Sequence, residues 1–181
     1  PVEVPEAHRA TLGGVIATDT SGPRRYGCGT IRDYLIGIEA ITAEGQVFRA
    51  GGRVVKNVAG YDLPKLMIGS LGSLAIISEA TLKLRPLAAS TAICWAAFES
   101  YLAVERALEA LVTSAARPVV IDLLDRRAAG QITADARANL SSGGPVLCLG
   151  VEGGEAETAW QAETLVAELE RLDAMSVVTL T

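Results

Sequence analysis

Residues 11–22 read TLGGVIATDTSG, and the interpretation of the first half of the chain begins with them. Paired glycines remove Cβ atoms where a backbone must approach a ligand closely, and the small residues after them allow a short helix to present N–H groups to an acceptor. The pattern is typical of a cofactor cradle. On its own it is more often a glycine turn at a helix end. The choice therefore depends on the segments that follow.

Two further stretches follow in order: residues 52–63 read GRVVKNVAGYDL, and residues 68–86 read IGSLGSLAIISEATLKLRP. Together the three resemble the FAD-binding domain of the vanillyl-alcohol-oxidase (PCMH-type) family, where the motifs read Gly-Gly-x-x-Ala-Thr-Asn, Lys-Asn-x-x-Gly-Tyr-Asp-Leu and Gly-Ser-x-Gly-x-Leu-Gly-x-Ile-x-Glu. Within that family, residues 21–25 and 54–62 are similar to the FAD-binding subunits of bacterial glycolate oxidases. The resemblance covers residues 8–88.

The resemblance implies the second subdomain of a PCMH-type FAD-binding domain over residues 1–88. With the ferredoxin-like cap domain that the pattern of residues 89–181 predicts, the expected fold class is α+β. The family's first subdomain, whose glycine-rich loop wraps the pyrophosphate, would precede Thr11. We therefore expect a fragment that binds FAD weakly or not at all by itself. Asp19, Leu71 and Ala75 replace the Asn, Glu and Gly that the family usually carries.

Carried over position by position, the resemblance implies a set of residues that contact FAD, mainly through their backbone. These are Thr11, Leu12, Gly13, Gly14, Ala17, Thr18, Ser21, Gly22, Tyr26, Gly27, Lys56, Gly72, Ile76 and Ile77. The ammonium of Lys56 beside the N1–C2 carbonyl of the flavin would stabilise the charge that appears on reduction. The alternative is that Lys56 is an ordinary solvated lysine.

Hydrophobic periodicity predicts the secondary structure on both sides of a boundary near residue 88. Before it we expect a hairpin of strands 36–42 and 47–50, a short helix 63–68, and a strand from Ile76 with Ser78, Ala80, Leu82 and Leu84 on one face. After it we expect strands 92–98, 119–124, 146–151 and 176–180, with helices 101–115 and 155–172. The first helix carries Val104, Leu108, Leu111 and Val112 on one face, and the second carries Trp160, Leu165, Val166 and Leu169. The segment 125–140 connects the halves of this βαβ-βαβ order, which is the ferredoxin-like arrangement.

Composition narrows the functional classes. The 181 residues are 50% hydrophobic and 20% charged with a net charge of −5, so a folded protein is expected and a nucleic-acid or anionic-membrane partner is not. No apolar run is long enough for a transmembrane segment. Cys28, Cys94 and Cys148 are odd in number and the only histidine is His8, so neither a disulfide framework nor a metal site is expected. A reducing cytoplasm fits this cysteine usage, and His8 is expected in an exposed loop. Cys28, Cys94, Cys148, Trp95 and Trp160 are expected to pack in the interior.

The resemblance implies a subunit of an FAD-dependent oxidoreductase that passes hydride from a small-molecule 2-hydroxy acid to the flavin, with glycolate as the first expectation. No residue here is a convincing catalytic base, so the base is expected in another part of the chain or in a partner subunit. Other subunits of an oxidase complex are the expected partners, since the glycolate oxidases that the sequence resembles need several subunits. D-lactate, a larger 2-hydroxy acid or an aldehyde are alternative substrates. A different class also remains open: a non-catalytic assembly module with a vestigial flavin site.

Overall fold

A computed structural model describes residues 2–54 and 61–181. The chain divides into two compact units, Pro1–Pro86 and Leu87–Thr181, so the division falls at the proline that ends the last glycine-rich motif. The units are called unit one and unit two below. Each unit combines helices with one antiparallel sheet, which confirms the α+β class.

Unit one carries a small three-stranded antiparallel sheet in which β1 (Leu35–Ile41) lies between β2 (Val47–Gly51) and β3 (Ile76–Leu82). The predicted hairpin, the short helix and the last strand are all present within one residue of the expected starts. The elements are α1 (Leu12–Thr18), α2 (Arg25–Cys28), α3 (Ile31–Tyr34), β1 (Leu35–Ile41), β2 (Val47–Gly51), α4 (Leu63–Met67) and β3 (Ile76–Leu82).

A bulge in β3 changes which residues face the interior. Glu79 pairs with Glu39 but Ile77 pairs with Ala40, so Ser78 is the extra residue between them. Ile77, Ala80 and Leu82 consequently pack against the buried clusters. The expectation that Ser78 shares a face with Ala80 and Leu82 is therefore wrong: its hydroxyl instead donates to the Glu39 carboxylate at 2.8 Å. The prediction for Leu84 is also wrong, because this side chain lies beyond the strand and is 85% exposed.

Unit two has a four-stranded antiparallel sheet of β4 (Ser90–Ala97), β5 (Val120–Leu124), β6 (Val146–Gly153) and β7 (Ser176–Leu180). Its order, β5-β6-β4-β7, is the ferredoxin-like order that the βαβ-βαβ pattern predicts. The predicted connection between the two βαβ halves contains a helix, α6, of its own. The elements are β4 (Ser90–Ala97), α5 (Tyr101–Leu111), β5 (Val120–Leu124), α6 (Arg126–Ala136), β6 (Val146–Gly153), α7 (Glu155–Arg171) and β7 (Ser176–Leu180).

The main core of unit two lies between one face of this sheet and the helices α5 and α7. It is formed by Cys94 and Leu149 from the sheet and by Val104 and Leu165 from the helices, all 0–1% exposed. The opposite face packs Trp95, Val146 and Ala129 together. Burying apolar side chains on both faces of the sheet stabilises the unit, since each fully buried aliphatic side chain contributes roughly 1.5–3 kcal/mol.

Two side chains expected in this core are exposed. Helix α5 ends at Leu111, four residues before the predicted end, and Val112 is 83% exposed because the chain leaves the helix in a turn closed by the Ser114 N–H on the Leu111 carbonyl. Trp160 is 51% exposed, because it lies on the side of α7 away from Leu165 and Leu169. Trp95 is buried as expected, and its indole N–H donates to the Ser141 carbonyl at 2.8 Å.

The substitution Leu149→Ala is expected to lower the free energy of unfolding of unit two by about 3 kcal/mol, because it removes a fully buried side chain and leaves a cavity. Both tryptophans lie in unit two, so tryptophan fluorescence during urea unfolding follows that unit. Val112→Ala is the matched control, and its effect should stay within about 0.5 kcal/mol. Equal losses from the two substitutions would contradict this assignment of the core.

Candidate functional site

Helix α1 presents the first glycine motif and is fixed at both ends. The Gly14 N–H donates to the Thr11 hydroxyl at 3.1 Å, so Thr11 is the N-cap. At the other end Asp19 has φ +51° and its N–H donates to the Ile16 carbonyl at 3.3 Å. This left-handed position suits the Asn of the family motif, and Asp tolerates it for the same reason. The chain therefore turns sharply after α1.

The same helix lies directly on β3. A Cβ atom built on Gly13 would sit 3.6 Å from the Ile77 carbonyl oxygen, which is ordinary van der Waals contact. A side chain larger than a methyl group would push the helix off the strand. Val15 and Ile16 continue the contact inward, where they pack with Ile31. Gly13 thus lies where the first motif and the strand of the third come together.

A loop of the third motif, residues 69–72, is bonded to the end of α1. The Gly69 N–H donates to the Ile16 carbonyl at 3.1 Å, and the Leu71 N–H donates to the Ala17 carbonyl at 2.7 Å. Gly72 has φ +73°, and no atom lies within 4 Å of the position that its Cβ would take. We call α1, residues 69–72 and the start of β3 the α1–loop junction. It presents bare backbone at Gly72 to open space.

Two properties of the α1–loop junction fit a bound cofactor. The Ser70 hydroxyl is buried and has no hydrogen-bond partner in the described part of the chain, which is unusual for a buried polar atom. Three apolar side chains in residues 71–76 are exposed within unit one: Leu71 at 76%, Leu74 at 47% and Ile76 at 71%. An apolar surface beside bare backbone and an unsatisfied hydroxyl is what a largely planar, partly polar ligand would cover.

The structure distributes the predicted site residues over several elements of unit one. Thr11 to Thr18 lie on α1 and its cap, Ser21 and Gly22 in the segment after it, Tyr26 and Gly27 on α2, Gly72 on the loop, and Ile76 and Ile77 on β3. Lys56 lies outside the described residues. The α1 residues, Gly72 and Ile77 come together at the α1–loop junction. Tyr26 is 63% exposed, and Ile76 and Ile77 point to opposite faces of the strand.

Gly22 lies against Glu3 of the same chain, whereas a cofactor cradle would require space for a ligand beside the glycine. Its Cβ position is 3.0 Å from the Cγ atom and 3.1 Å from the carbonyl oxygen of Glu3. The Arg24 N–H also donates to the Glu3 carboxylate at 3.2 Å. The glycine is therefore packed tightly against the chain's own N-terminal segment. Ser70, Leu71 and Leu74 were not predicted as site residues, although the Gly-Ser-x-Gly motif that contains Gly72 pointed to this loop.

Acid, base and metal chemistry have little support among the described residues. His8 is exposed in a turn, as expected. Residues 2–54 and 61–181 contain no group of His, Cys, Asp and Glu side chains that could hold a metal ion. None of the helices formed by those residues combines the length and apolar character needed to cross a bilayer.

The three cysteines have free thiols, and Cys28 and Cys94 are buried. Burial raises the pKa of the Cys94 thiol above its usual value. Burial, followed by the nearby Asp122 carboxylate, raises the pKa of the Cys148 thiol to about 12. Both of these thiols are therefore neutral near pH 7, which suits packing groups and not nucleophiles.

Several known proteins are similar to this chain. The family profile described as "FAD binding domain" matches residues 1–51. The chain is 33% identical to the glycolate oxidase subunit GlcD of Bacillus subtilis over 94% of its own length and 36% of that protein. It is 36% identical to a D-lactate dehydrogenase of Archaeoglobus fulgidus over 68% of the chain and 28% of the relative. The glycolate oxidase subunit GlcE of Escherichia coli is 46% identical over 48% of the chain and 25% of that subunit.

A solved alkyldihydroxyacetonephosphate synthase has a similar fold, with a TM-score of 0.68 and 21% identity over 92% of this chain and 33% of that one. The chain therefore spans a quarter to about a third of the length of these relatives.

Alkaline pH is expected to destabilise unit two partly through Cys148. The unfolded thiol loses its proton near the usual pKa of 9.0, whereas the folded thiol keeps it up to about 12, so the free energy of unfolding falls as pH rises above 9.0. Cys148→Ala should make that fall shallower in urea titrations between about pH 8 and pH 10.5. Val146→Ala, on the same strand, should lower stability but keep the original slope. Identical slopes in the two variants would disprove the role of Cys148.

Proposed function

We propose that this chain, which belongs to the FAD binding domain family through residues 1–51, is part of an FAD-linked oxidoreductase that oxidises a small 2-hydroxy acid. The relatives that support the substrate class are glycolate oxidase subunits and D-lactate dehydrogenases. Glycolate is the first candidate and D-lactate the second. A larger 2-hydroxy acid and an aldehyde are the further alternatives.

The α1–loop junction is the observation that carries the proposal. Gly72 leaves backbone open to a ligand, the Ser70 hydroxyl lacks a partner in the described chain, and Leu71, Leu74 and Ile76 are exposed beside them. In the proposal the backbone of this junction, together with α1, binds and orients the cofactor, and the apolar side chains exclude water from it. Bound FAD supplies the acceptor for the two electrons of the substrate.

The remaining predicted contacts form the outer part of the proposed site. Thr11 and Thr18 lie at the two ends of α1, where Thr18 donates to the Gly14 carbonyl at 2.8 Å and contacts Thr20 at 2.6 Å. Tyr26 is exposed on α2 and free to pack on a ligand face. Lys56 remains the proposed cation near the flavin carbonyl. Because it lies outside the described residues, this role is tested by substituting the lysine.

We further propose that residues 1–88 form the second half of an FAD-binding domain and residues 89–181 a cap domain. The chain spans 25–36% of the curated relatives named above, so the pyrophosphate loop and the catalytic base are assigned to other parts of the whole protein or to partner subunits. The exposed His8 is not that base. Free thiols at all three cysteines support a reducing, cytoplasmic location.

The alternative function is a non-catalytic assembly module with a vestigial flavin site. It is favoured by Gly22, where Glu3 fills the space beside the glycine. The colour of the purified whole protein distinguishes the enzyme from the assembly module, because absorbance at about 450 nm is characteristic of bound flavin. Colourless, folded protein would favour the assembly module.

Substrate choice is tested by mixing the whole protein, under anaerobic conditions, with glycolate, D-lactate, a larger 2-hydroxy acid and an aldehyde in turn. Glycolate is expected to bleach the flavin absorbance fastest, because hydride transfer from the α-carbon reduces the flavin. L-lactate serves as a stereochemical control for D-lactate. If no 2-hydroxy acid bleaches the flavin, the proposed substrate class is wrong.

The α1–loop junction is tested with Gly72→Val in the whole protein. A β-branched side chain would fill the open space beside the backbone, so FAD affinity should fall at least about tenfold, as expected when a close backbone contact is lost. Gly45→Val is the matched control, since Gly45 in the β1–β2 turn also has positive φ and no atom within 4 Å of its Cβ position. Both variants should lose about 1–2 kcal/mol of stability from the left-handed backbone. Equal FAD affinities in the two variants would contradict the site.

A further inference from the structure

Helix α4 holds one side of the loop on which the proposed flavin site depends. The Ser70 N–H donates to the carbonyl of Met67, the last residue of α4, at 3.3 Å. The amides on either side of Ser70, those of Gly69 and Leu71, are the two that donate to the end of α1. Successive amides of the loop are thus held alternately by α1 and by α4. The shape of the loop therefore depends on where both helices lie.

Helix α4 is too short to be stable by itself. It has five residues, whereas isolated helices shorter than about 12 residues are only marginally stable in water. Its position is therefore set by the groups that it packs against. Met67 is buried with Ile38 and Ala40 of β1, which fixes one face of the helix on the sheet. A directional contact comes from Lys65, in the middle of the helix.

The Lys65 side chain reaches from α4 to the corner where α3 meets β1. Its ammonium donates to the Arg32 carbonyl and, at 2.9 Å, to the Leu35 carbonyl. Arg32 lies in the last turn of α3 and Leu35 is the C-cap, so both carbonyls are at the helix end, where intrahelical partners are lacking. In the opposite direction, the Arg32 guanidinium donates to the Lys65 carbonyl at 3.5 Å. Two positively charged residues therefore tie α4 to α3.

The ammonium of Lys65 is held at a defined place by backbone groups. The Asp62 carboxylate, three positions earlier, is engaged as the N-cap of α4, where it accepts the Lys65 N–H at 3.2 Å. The Lys65 side chain is half-buried, and hydrogen bonds from a charged donor are among the strong ones in proteins. All of these contacts lie within unit one, so they hold whatever other parts of the whole protein cover this surface.

We propose that Lys65 is a positioning residue for the flavin site. By fixing α4 on the corner of α3 and β1, its ammonium holds residues 69–72 in the shape that contacts FAD. The inference rests on the proposed function, which gives this loop its role, and Lys65 itself is assigned no contact with FAD. Without the ammonium, α4 and the Ser70 amide are less firmly held, and FAD must order the loop when it binds. That ordering lowers the affinity.

The test compares three variants of the whole protein. Lys65→Met removes the ammonium but keeps an unbranched side chain of similar length. Lys65→Arg keeps a cation with several N–H donors that can reach the same carbonyls. Lys83→Met is the matched control, because Lys83 is another half-buried lysine of unit one and its ammonium lies 5.7 Å from the centre of the Tyr34 ring. Circular dichroism confirms that each variant is folded.

Hydrogen exchange in the whole protein freed of FAD measures the positioning without the cofactor. Amides of residues 69–72 should exchange at least about threefold faster in Lys65→Met than in the wild type, whereas those of residues 38–41 in β1 should be unchanged. Lys65→Arg and Lys83→Met should both match the wild type. Unchanged exchange at residues 69–72 in Lys65→Met would overturn the proposal. Equally faster exchange throughout unit one would also overturn it, because it would show a general loss of stability.

FAD affinity is then measured by titrating the FAD-free proteins and following flavin fluorescence. The Kd should rise at least about fivefold in Lys65→Met and stay within about twofold of the wild type in Lys65→Arg and Lys83→Met. If the wild type binds no FAD, the proposed function fails and this role for Lys65 fails with it. If the wild type binds FAD and Lys65→Met binds it equally well, only the role of Lys65 is wrong.

Discussion

Direct contact between α1 and β3 is the constraint on which the proposed site depends. The contact is close at position 13, where a Cβ atom would already be in van der Waals contact with the Ile77 backbone. Once α1 lies there, its last carbonyls accept the N–H groups of Gly69 and Leu71. Asp19, in the left-handed conformation, then ends α1. Two motifs that are some 50 residues apart in sequence thus share one surface. The packing of the chain around their glycines forms the surface that a ligand would contact.

Much of the fold could be predicted because its signals are local. The period of hydrophobic residues and the glycine and proline positions predicted most elements of both units within a few residues, and the order βαβ-βαβ predicted the strand order of unit two. The errors have particular causes. The bulge at Ser78 depends on which residue of β1 pairs with which residue of β3, and the exposure of Trp160 depends on how α7 is rotated on its sheet. Neither property is encoded in spacing along one segment.

The candidate site could be predicted only in part, for a related reason. A motif indicates that a glycine is required but not which neighbour requires it. Gly72 faces open space, whereas Gly22 is packed tightly against Glu3, nineteen positions earlier in the chain. The Ser70 hydroxyl and the exposed Leu71 become noticeable only when burial is known.

Hydrogen exchange of the whole protein, with and without FAD, can establish whether the α1–loop junction faces the cofactor. If it does, amides of residues 69–72 and of the first turn of α1 should exchange more slowly when FAD is bound, because the ligand covers backbone that is otherwise open. Amides of the β1–β2 turn around Gly45 should be unaffected. Unchanged exchange at residues 69–72, together with protection elsewhere, would contradict the assignment of this junction to FAD.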